Sequence, residues 1–210
     1  MRLVKFLLDG QAQWGELQGE NVCVLAEPPY EKVVHTDKTV PLSSVKLLAP
    51  CDPTSVVCVG LNYYDHIMEG SGKVPDSTVI FLKPVDSVNH PDSGIPYPKW
   101  IGRLDYEGEL AFVIKKTAKN VKKEDFADYI LGYTCFNDVT ARELQRLDGQ
   151  WARGKGFDGF APAGPALVTE FDCKKAGIQT RLNGEVKQNS NIELLMYPVP
   201  NLVEFISAFM

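Results

Sequence analysis

Two glutamates stand two residues apart in the stretch DYEGEL, residues 105–110, just before the apolar run AFVI. Side chains at i and i+2 of a β-strand point to the same face, so the carboxylates of Glu107 and Glu109 would lie side by side. Taken alone, the pair favours two solvated acids on an exposed strand face. The rival interpretation is a site for a hard cation such as Mg²⁺, which binds several oxygen ligands and keeps positions for water or substrate.

A hard-metal site of this kind needs a third carboxylate, and Asp138 in TCFNDVTARE is the candidate. This aspartate stands between an apolar strand pattern and a helical pattern. Acids often cap helices at such a boundary, so an N-cap role is the alternative interpretation. Neither the glutamate pair nor Asp138 is specific by itself.

The chain has three histidines, which limits the candidates for a general base. His66 in YYDHIMEG has the right side chain, because the unperturbed pKa of histidine lies near neutrality. Without other motifs, His66 is interpreted as an ordinary loop histidine. Lys155 in RGKGFDG is, by the same standard, a solvated surface lysine.

The segment GKGFDG, residues 154–159, satisfies the pattern G-x-G-x-x-G. A dinucleotide-binding fingerprint requires a strand before this pattern and a helix after it. The preceding segment is polar, and the following segment FAPAGP is incompatible with a helix because of its prolines. The sequence therefore argues against a Rossmann-type site.

The elements that must position these residues are mostly strands. Residues 1–50 predict strand, turn, strand, turn, strand, with Asp9-Gly10 and Gln18-Gly19 at the turns, and EPPYEKVV and VPLSSVKLLAP as connections. Later segments predict strands at SVVCVG, VIFLKP, YPKWIGRLDYEGELAFVI, LGYTCFNDVT and PALVTE, and a hairpin at IQTRLNGEVKQ with Asn183-Gly184 at its turn. Helices are predicted at KKEDFADYI, ARELQRLDGQW and PNLVEFISAFM, and YYDHIMEGSGKVPDS predicts a mobile loop with one helical turn.

The last predicted helix has an amphipathic pattern, with Leu202, Phe205, Ile206 and Phe209 on one face and a capping-box-like start at Asn201. The predicted class is α+β, dominated by strands. We divide the chain into a small β-rich N-terminal module, residues 1–50, and a catalytic domain, residues 51–210.

The bulk composition excludes several classes of protein. A chain of 210 residues with 44% hydrophobic and 23% charged residues suits one globular domain with a small appendage. The net charge of −5 does not indicate a general affinity for nucleic acid or anionic membrane. No apolar run is long enough to span a bilayer, and five cysteines without a C-x-x-C pair predict reduced thiols in a cytoplasmic protein.

Five motifs in order resemble the fumarylacetoacetate hydrolase family: VGLNYYDHIME, LDYEGELAFVI, FNDVTARELQ, RGKGFDGFAPAGP and LNGEVKQNSN. The resemblance runs from about residue 56 to the end of the chain. It implies a mixed β-sandwich or roll as the catalytic domain, and the N-terminal module resembles one that precedes this domain in many members.

The resemblance also implies roles for single residues. Glu107, Glu109 and Asp138 match the metal ligands, usually for Mg²⁺ or Mn²⁺, with Ca²⁺ expected in some crystals. His66 and Glu69 match an acid–base dyad on a flexible lid, residues 64–76, and Lys155 matches the lysine that faces the substrate. The positions implied to bind substrate are Lys83, Arg142 and Gln145. One departure is Glu143, where many members have Asp.

The activity implied is metal-dependent cleavage of a C–C bond in a small 2-oxo or 1,3-dioxo carboxylic acid, through an enolate. Isomerisation of 2-hydroxyhepta-2,4-diene-1,7-dioate, or decarboxylation of an oxaloacetate-type acid, would use the same residues and stays open. A binding protein without turnover and a structural chain holding Ca²⁺ are further alternatives. The resemblance implies a homodimer with a small dicarboxylic or 2-oxo acid as its partner.

Related chains continue after the last helix into a glycine-rich segment similar to GDVILTGTP, which is absent here. From this difference we expect the chain to be a truncated form of a longer protein.

Overall fold

The structure is a computed structural model that describes residues 1–69 and 73–210, without the side chain of Glu69. The described residues form fifteen β-strands and four α-helices. The first eight strands are β1 (Arg2–Leu8), β2 (Gln11–Gln18), β3 (Asn21–Leu25), β4 (His35–Pro41), β5 (Lys46–Leu48), β6 (Val56–Gly60), β7 (Val79–Lys83) and β8 (Val88–Asn89). The others are β9 (Leu104–Asp105), β10 (Gly108–Ile114), β11 (Ile130–Asn137), β12 (Thr140–Ala141), β13 (Ala161–Val168), β14 (Gly177–Leu182) and β15 (Glu185–Asn191). The helices are α1 (Tyr64–Glu69), α2 (Arg142–Asp148), α3 (Ala152–Lys155) and α4 (Val199–Ser207).

One large sheet combines strands from the first 50 residues with strands from the rest of the chain. Its strands run in the order β10-β11-β13-β1-β2-β3-β4, with β5 on β1 and β8 on β13. The predicted three-stranded start is confirmed: β1, β2 and β3 pair in antiparallel register across turns at Asp9-Gly10 and Gly19. Because β1 also pairs with β13, residues 1–50 extend the sheet of the rest of the chain. The domain division at residue 50 stays a prediction.

Three smaller pairs of strands surround this sheet. β6 pairs with β7, β9 with β12, and β14 with β15. The predicted hairpin at Asn183-Gly184 is confirmed, and Asn183 adopts the left-handed conformation that such a turn requires. The strand-dominated α+β class is confirmed by this architecture.

Several predicted elements differ from the structure. The segments interpreted as connections contain β4 and β5, because tertiary pairing with β3 and β1 gives polar or short segments a strand partner. The predicted long strand before Ile114 is interrupted, and only β9 and β10 are extended. The segment Lys123–Tyr129 is a 3₁₀-helix rather than an α-helix.

The start of the last helix was predicted wrongly, and its apolar face was predicted only in part, since Leu202 is buried as expected. α4 begins at Val199 after Pro198, so Asn201 lies inside the helix and does not cap it. Phe205 and Phe209 are exposed, whereas Val203 is buried. A proline at the N-terminus set the helix start. The buried face runs through Val199, Leu202 and Val203.

The buried core lies on both sides of the large sheet. One cluster joins β1, β2, β3, β11 and β13 through the side chains of Leu3, Trp14, Leu25, Leu131 and Leu167. A separate cluster consists of Ile101, Val139, Ala141 and Phe160. None of the described helices is long and apolar enough to cross a membrane.

Candidate active site

A cavity of about 520 Å³ opens between α1, the start of β10, helix α2 and the hairpin β14–β15. This volume lies in the range of sites for small molecules. The predicted site residues on its wall are His66, Glu107, Glu109, Asp138, Arg142, Gln145 and Lys155. The structure therefore brings together seven of the nine residues singled out from the sequence.

The pairing of β10 with β11 places the acids. Gly108 lies opposite Asn137, so Glu107, just before β10, faces Asp138, just after β11. The amide of Asp138 donates to the carbonyl of Glu107 at 2.8 Å, and the side chain of Asn137 accepts from the Glu107 amide at 2.9 Å. Backbone register thus holds the two acids at the same edge, and Glu109 lines the same cavity.

Two buried lysines neutralise Asp138. Lys155 Nζ donates to Asp138 Oδ2 at 2.5 Å and to Glu107 Oε2 at 2.8 Å, and its third contact is Thr140 Oγ1 at 2.9 Å. Lys83 Nζ donates to Asp138 Oδ1 at 2.6 Å and to the carbonyl oxygens of Phe160 and Val139 at 2.7 and 3.3 Å. An ammonium group has three donors, so both lysines have all of theirs engaged by the protein.

These contacts give the two lysines different electrostatics. Burial lowers the pKa of Lys155, but Asp138 and Glu107 outweigh burial and raise the pKa above its ordinary value. For Lys83, burial prevails over the opposing charge of Asp138 and lowers the pKa. Lys83 lies behind Asp138 and does not line the cavity. The resemblance implied that Lys83 binds substrate, whereas in the structure it binds the carboxylate of Asp138.

An arginine supports the other side of Glu107. Arg142 Nη2 donates to Glu107 Oε1, its Nε donates to Asp105 at 2.8 Å, and its Nη1 donates to Gln145 at 2.7 Å. Burial raises the pKa of Glu107, but Lys155 and Arg142 outweigh burial and lower it. Glu107 therefore carries its negative charge between two fixed cations.

Glu109 has a contrasting environment. None of the described residues donates a hydrogen bond to its carboxylate or forms an ion pair with it. Burial, followed by repulsion from Asp138 and Glu107, raises the pKa of Glu109 to about 8. An acid without a partner beside two charged acids marks the place in the cavity where additional positive charge would be stabilised.

The residues fit a hard divalent cation by their chemistry, although they are not arranged around a shared point. Among the described residues, no three His, Cys, Asp or Glu side chains are placed to hold one metal ion. The metal-site hypothesis predicts such clustering; instead, the ammonium group of Lys155 lies between Glu107 and Asp138. A carboxylate has about four lone-pair sites, so Glu107 and Asp138 keep acceptor capacity beside their lysine contacts, and Glu109 keeps all of its own.

His66 reaches the cavity from helix α1. Its backbone amide donates to Asp65 Oδ1 at 2.9 Å, and Asp65 Oδ2 accepts from Ser190 at 2.5 Å, which ties α1 to the hairpin. The predicted partner of His66, the side chain of Glu69, lies outside the described residues. Residues 70–72 of the predicted lid also lie outside them, so the dyad and the mobile lid stay predictions.

An aromatic wall lies beside Lys155. Trp151 packs edge-on against Phe81, with ring centroids 5.2 Å apart, and Lys155 Nζ lies 4.9 Å from the Phe81 centroid. Gly60 makes this packing possible, because a Cβ at that position would lie 2.4 Å from the Trp151 ring. The wall shields one side of the ammonium group from water.

The hairpin β14–β15 forms the opposite wall. Gln188 accepts from the amide of Gly108 at 2.8 Å, beside the two glutamates. A larger residue would not fit at position 108, because a Cβ on Gly108 would lie 2.2 Å from Thr180 Oγ1. These contacts fix the hairpin against the first residue of β10.

Several residues of the site were not found by sequence reasoning. Asp105 and Thr140 support Arg142 and Lys155, and Trp151, Gln188 and Arg146 line the cavity. Asp105 could have been suspected, because it precedes the Glu-x-Glu pair in the same motif. The hairpin residues carry no signal in the sequence, since only the fold brings residue 188 next to residue 108.

Comparison with known proteins agrees with this architecture. Residues 55–210 match the model of the family described as fumarylacetoacetate (FAA) hydrolase, C-terminal, and residues 1–50 match the model described as Rv2993c-like, N-terminal. An uncharacterised protein of Archaeoglobus fulgidus is 50% identical over 180 residues, which cover 86% of this chain and 72% of that protein.

Two further relatives have assigned activities. The mitochondrial oxaloacetate tautomerase of Xenopus laevis is 42% identical over 173 residues, which are 80% of this chain but only 54% of that protein. The crystal structure of a 5-carboxymethyl-2-hydroxymuconate delta-isomerase from Mycobacterium smegmatis superposes with a TM-score of 0.94 at 38% identity, covering 100% of this chain and 83% of that one. The proteins similar to this chain thus include a tautomerase and an isomerase.

Proposed function

This chain belongs to the fumarylacetoacetate hydrolase family, and from that premise we propose that it is an enzyme that forms and protonates the enolate of a small 2-oxo carboxylic acid. The preferred reaction is a keto–enol or double-bond shift, because the relatives with assigned activities are a tautomerase and an isomerase. The observation that carries the proposal is one cavity that unites three acids, two fixed cations and a histidine.

Glu107, Glu109 and Asp138 would hold a divalent cation in this cavity. Mg²⁺ and Mn²⁺ are the proposed ions, because all three ligands are carboxylates. Such a cation, when bound, supplies Lewis acidity to a substrate oxo group. The carboxylate of Glu109 has no partner among the described residues, and burial and acidic neighbours raise its pKa to about 8, which supports this placement.

The protein's own cations prepare this site. Lys83 and Lys155 each form an ion pair with one carboxylate oxygen of Asp138, of which only 4% is exposed. Arg142 and Lys155 do the same for Glu107. Lys83, Lys155 and Arg142 are fixed by these contacts before substrate arrives, so holding the acids in place costs no reorganisation during the reaction.

His66 is the proposed residue for the proton transfer. It stands on the cavity wall, and its imidazole can take a proton from the carbon next to the oxo group and return one to it. Glu69 is the proposed partner that orients the ring. Gln145, held by Arg142, is proposed to donate its amide to a substrate oxygen.

Hydrolytic C–C cleavage of an acylpyruvate, which the family resemblance implies, is a second candidate. The cavity of about 520 Å³ favours it, because sites of that size take ligands larger than a four-carbon acid and leave room for a water molecule. His66 would then activate the water, and the cation that the three acids would hold would supply charge stabilisation to the enolate that leaves.

The proposal is tested by following enol-oxaloacetate and acetylpyruvate in the ultraviolet with Mg²⁺ or Mn²⁺ present. We expect enol-oxaloacetate to be converted faster than in buffer, and His66→Ala to lower turnover by about 10²–10⁴-fold. His35→Ala is the matched control, because His35 pairs with Glu16 on the surface, away from the cavity. Conversion of neither acid would favour a binding protein or a structural Ca²⁺ site; cleavage of acetylpyruvate alone would favour the hydrolase.

A further inference from the structure

Helix α2 presents a second arginine to the cavity one turn after Arg142. The cavity-lining residues of this segment are Arg142, Gln145, Arg146 and Gly149. Their spacing of three and four residues puts them on one face of the helix. Adjacent positions on such a face have Cβ atoms about 5–6 Å apart, so Arg146 continues the row of donors outward from the acids.

The inner cations are already engaged by groups of the protein. All three donors of Lys155 are engaged by Glu107, Asp138 and Thr140. Each nitrogen of the Arg142 guanidinium contacts Glu107, Asp105 or Gln145. Their charges are matched by protein carboxylates before any substrate binds.

Arg146 differs from both. It is exposed on the cavity wall, and no described residue forms an ion pair or hydrogen bond with it. The other outer cation, Lys187 on β15, is paired with Glu185 at 2.6 Å. Among the cations on this cavity wall, Arg146 is therefore the one without an acidic partner in the described part of the chain.

A guanidinium group offers two parallel donors that match a carboxylate, which a lysine does not. If the oxo-acid end of the substrate lies at the acids, a second carboxylate a few bonds away would reach outward along α2. We propose that Arg146 is a specificity-determining residue that binds this distal carboxylate, so that the site selects short dicarboxylic 2-oxo acids over monocarboxylic ones. The proposal rests on the proposed function, since that function places the oxo-acid end at the three acids.

The role of Arg146 is tested by measuring ligand binding at equilibrium and hydrogen–deuterium exchange of the ligands. Calorimetric titration with oxaloacetate and with 2-oxobutanoate, in the presence of Mg²⁺, compares a dicarboxylic with a monocarboxylic ligand. Deuterium exchange at C3 of each acid, followed by NMR in D₂O, supplies KM and kcat. The variants are Arg146→Gln, Arg146→Lys and, as the matched control, Arg153→Gln, which removes an exposed arginine that is paired with Asp148 and does not line the cavity.

We expect Arg146→Gln to weaken oxaloacetate binding and raise its KM by about 10- to 100-fold, because a hydrogen bond to a charged group contributes about 1.5–3 kcal/mol and 1.4 kcal/mol is tenfold. The values for 2-oxobutanoate should stay unchanged, and Arg146→Lys should show a smaller loss. Arg153→Gln should behave as wild type.

Equal losses for both acids, or a preference for oxaloacetate that survives Arg146→Gln, would overturn the assignment. The proposed function fails separately, if wild type binds oxaloacetate but exchanges neither acid; the binding comparison then still decides the role of Arg146. A wild-type protein that binds neither acid would overturn both proposals.

Discussion

Replacing Lys83 by methionine removes one half of a buried ion pair while keeping a side chain of similar length. The side chain of Lys83 is 0% exposed and that of Asp138 is 6% exposed, with 2.6 Å between Nζ and Oδ1. Removing one partner of a buried pair costs about 3–5 kcal/mol, because the remaining charge is left without compensation. Lys155 still contacts Asp138 Oδ2, so we expect a loss near the lower end, about 3 kcal/mol.

Urea denaturation at pH 7 measures this loss as a change in the midpoint at constant m-value. For a chain of this size, about 3 kcal/mol corresponds to a fall in Tm of roughly 6–12 °C. Lys187→Met is the matched control, because Lys187 pairs with an exposed acid and such pairs contribute about 0–1 kcal/mol.

A second variant separates charge from packing. Adding Asp138→Asn to Lys83→Met removes the uncompensated charge, so the double variant should be more stable than the sum of the two single losses predicts. A loss below about 1 kcal/mol for Lys83→Met, or strict additivity in the double variant, would refute the view that Lys83 stabilises the fold through Asp138.

Two other predictions concern packing and pH. Gly60→Ala should lower the free energy of unfolding by about 1–3 kcal/mol in urea and reduce turnover, because the new Cβ would lie 2.4 Å from the Trp151 ring; unchanged stability would contradict the predicted steric conflict. Burial, followed by Lys46 and Lys5, lowers the pKa of His90, so the folded state binds fewer protons than the unfolded state. The free energy of unfolding should therefore fall as pH drops below about 6.5, and His90→Asn should flatten the curve between pH 7 and 5; parallel curves would contradict this.

The sequence predicts much of the site but little of its charge balance. The Glu-x-Glu spacing places both glutamates on one wall, and the strand pattern before Asp138 brings that residue opposite Glu107. Local pattern and family resemblance are sufficient for this, since β10 and β11 pair in regular antiparallel register. The three-stranded start and the hairpin at Asn183-Gly184 follow from turn chemistry in the same way.

Contacts between distant segments could not be predicted. From the sequence pattern, Lys83 is recognisable only as the last residue of a strand. Its burial behind Asp138 depends on the packing of β7 against residues 138–160. The place of Gln188 beside Gly108 depends on how a separate hairpin docks. The start of α4 failed because a proline outweighed the capping pattern at Asn201.

The central claim is that Glu107, Glu109 and Asp138 form one divalent-cation site. Titration with Mn²⁺, followed by electron paramagnetic resonance of the free ion, measures its affinity without any substrate. We expect one tight site in the wild-type protein, weakened at least about tenfold in Glu109→Gln, since even residues that only support a metal ligand are worth 10–100-fold. Glu143→Gln, which removes an exposed acid outside the cavity, should bind as wild type does. Equal Mn²⁺ affinity in wild type and Glu109→Gln would contradict the account.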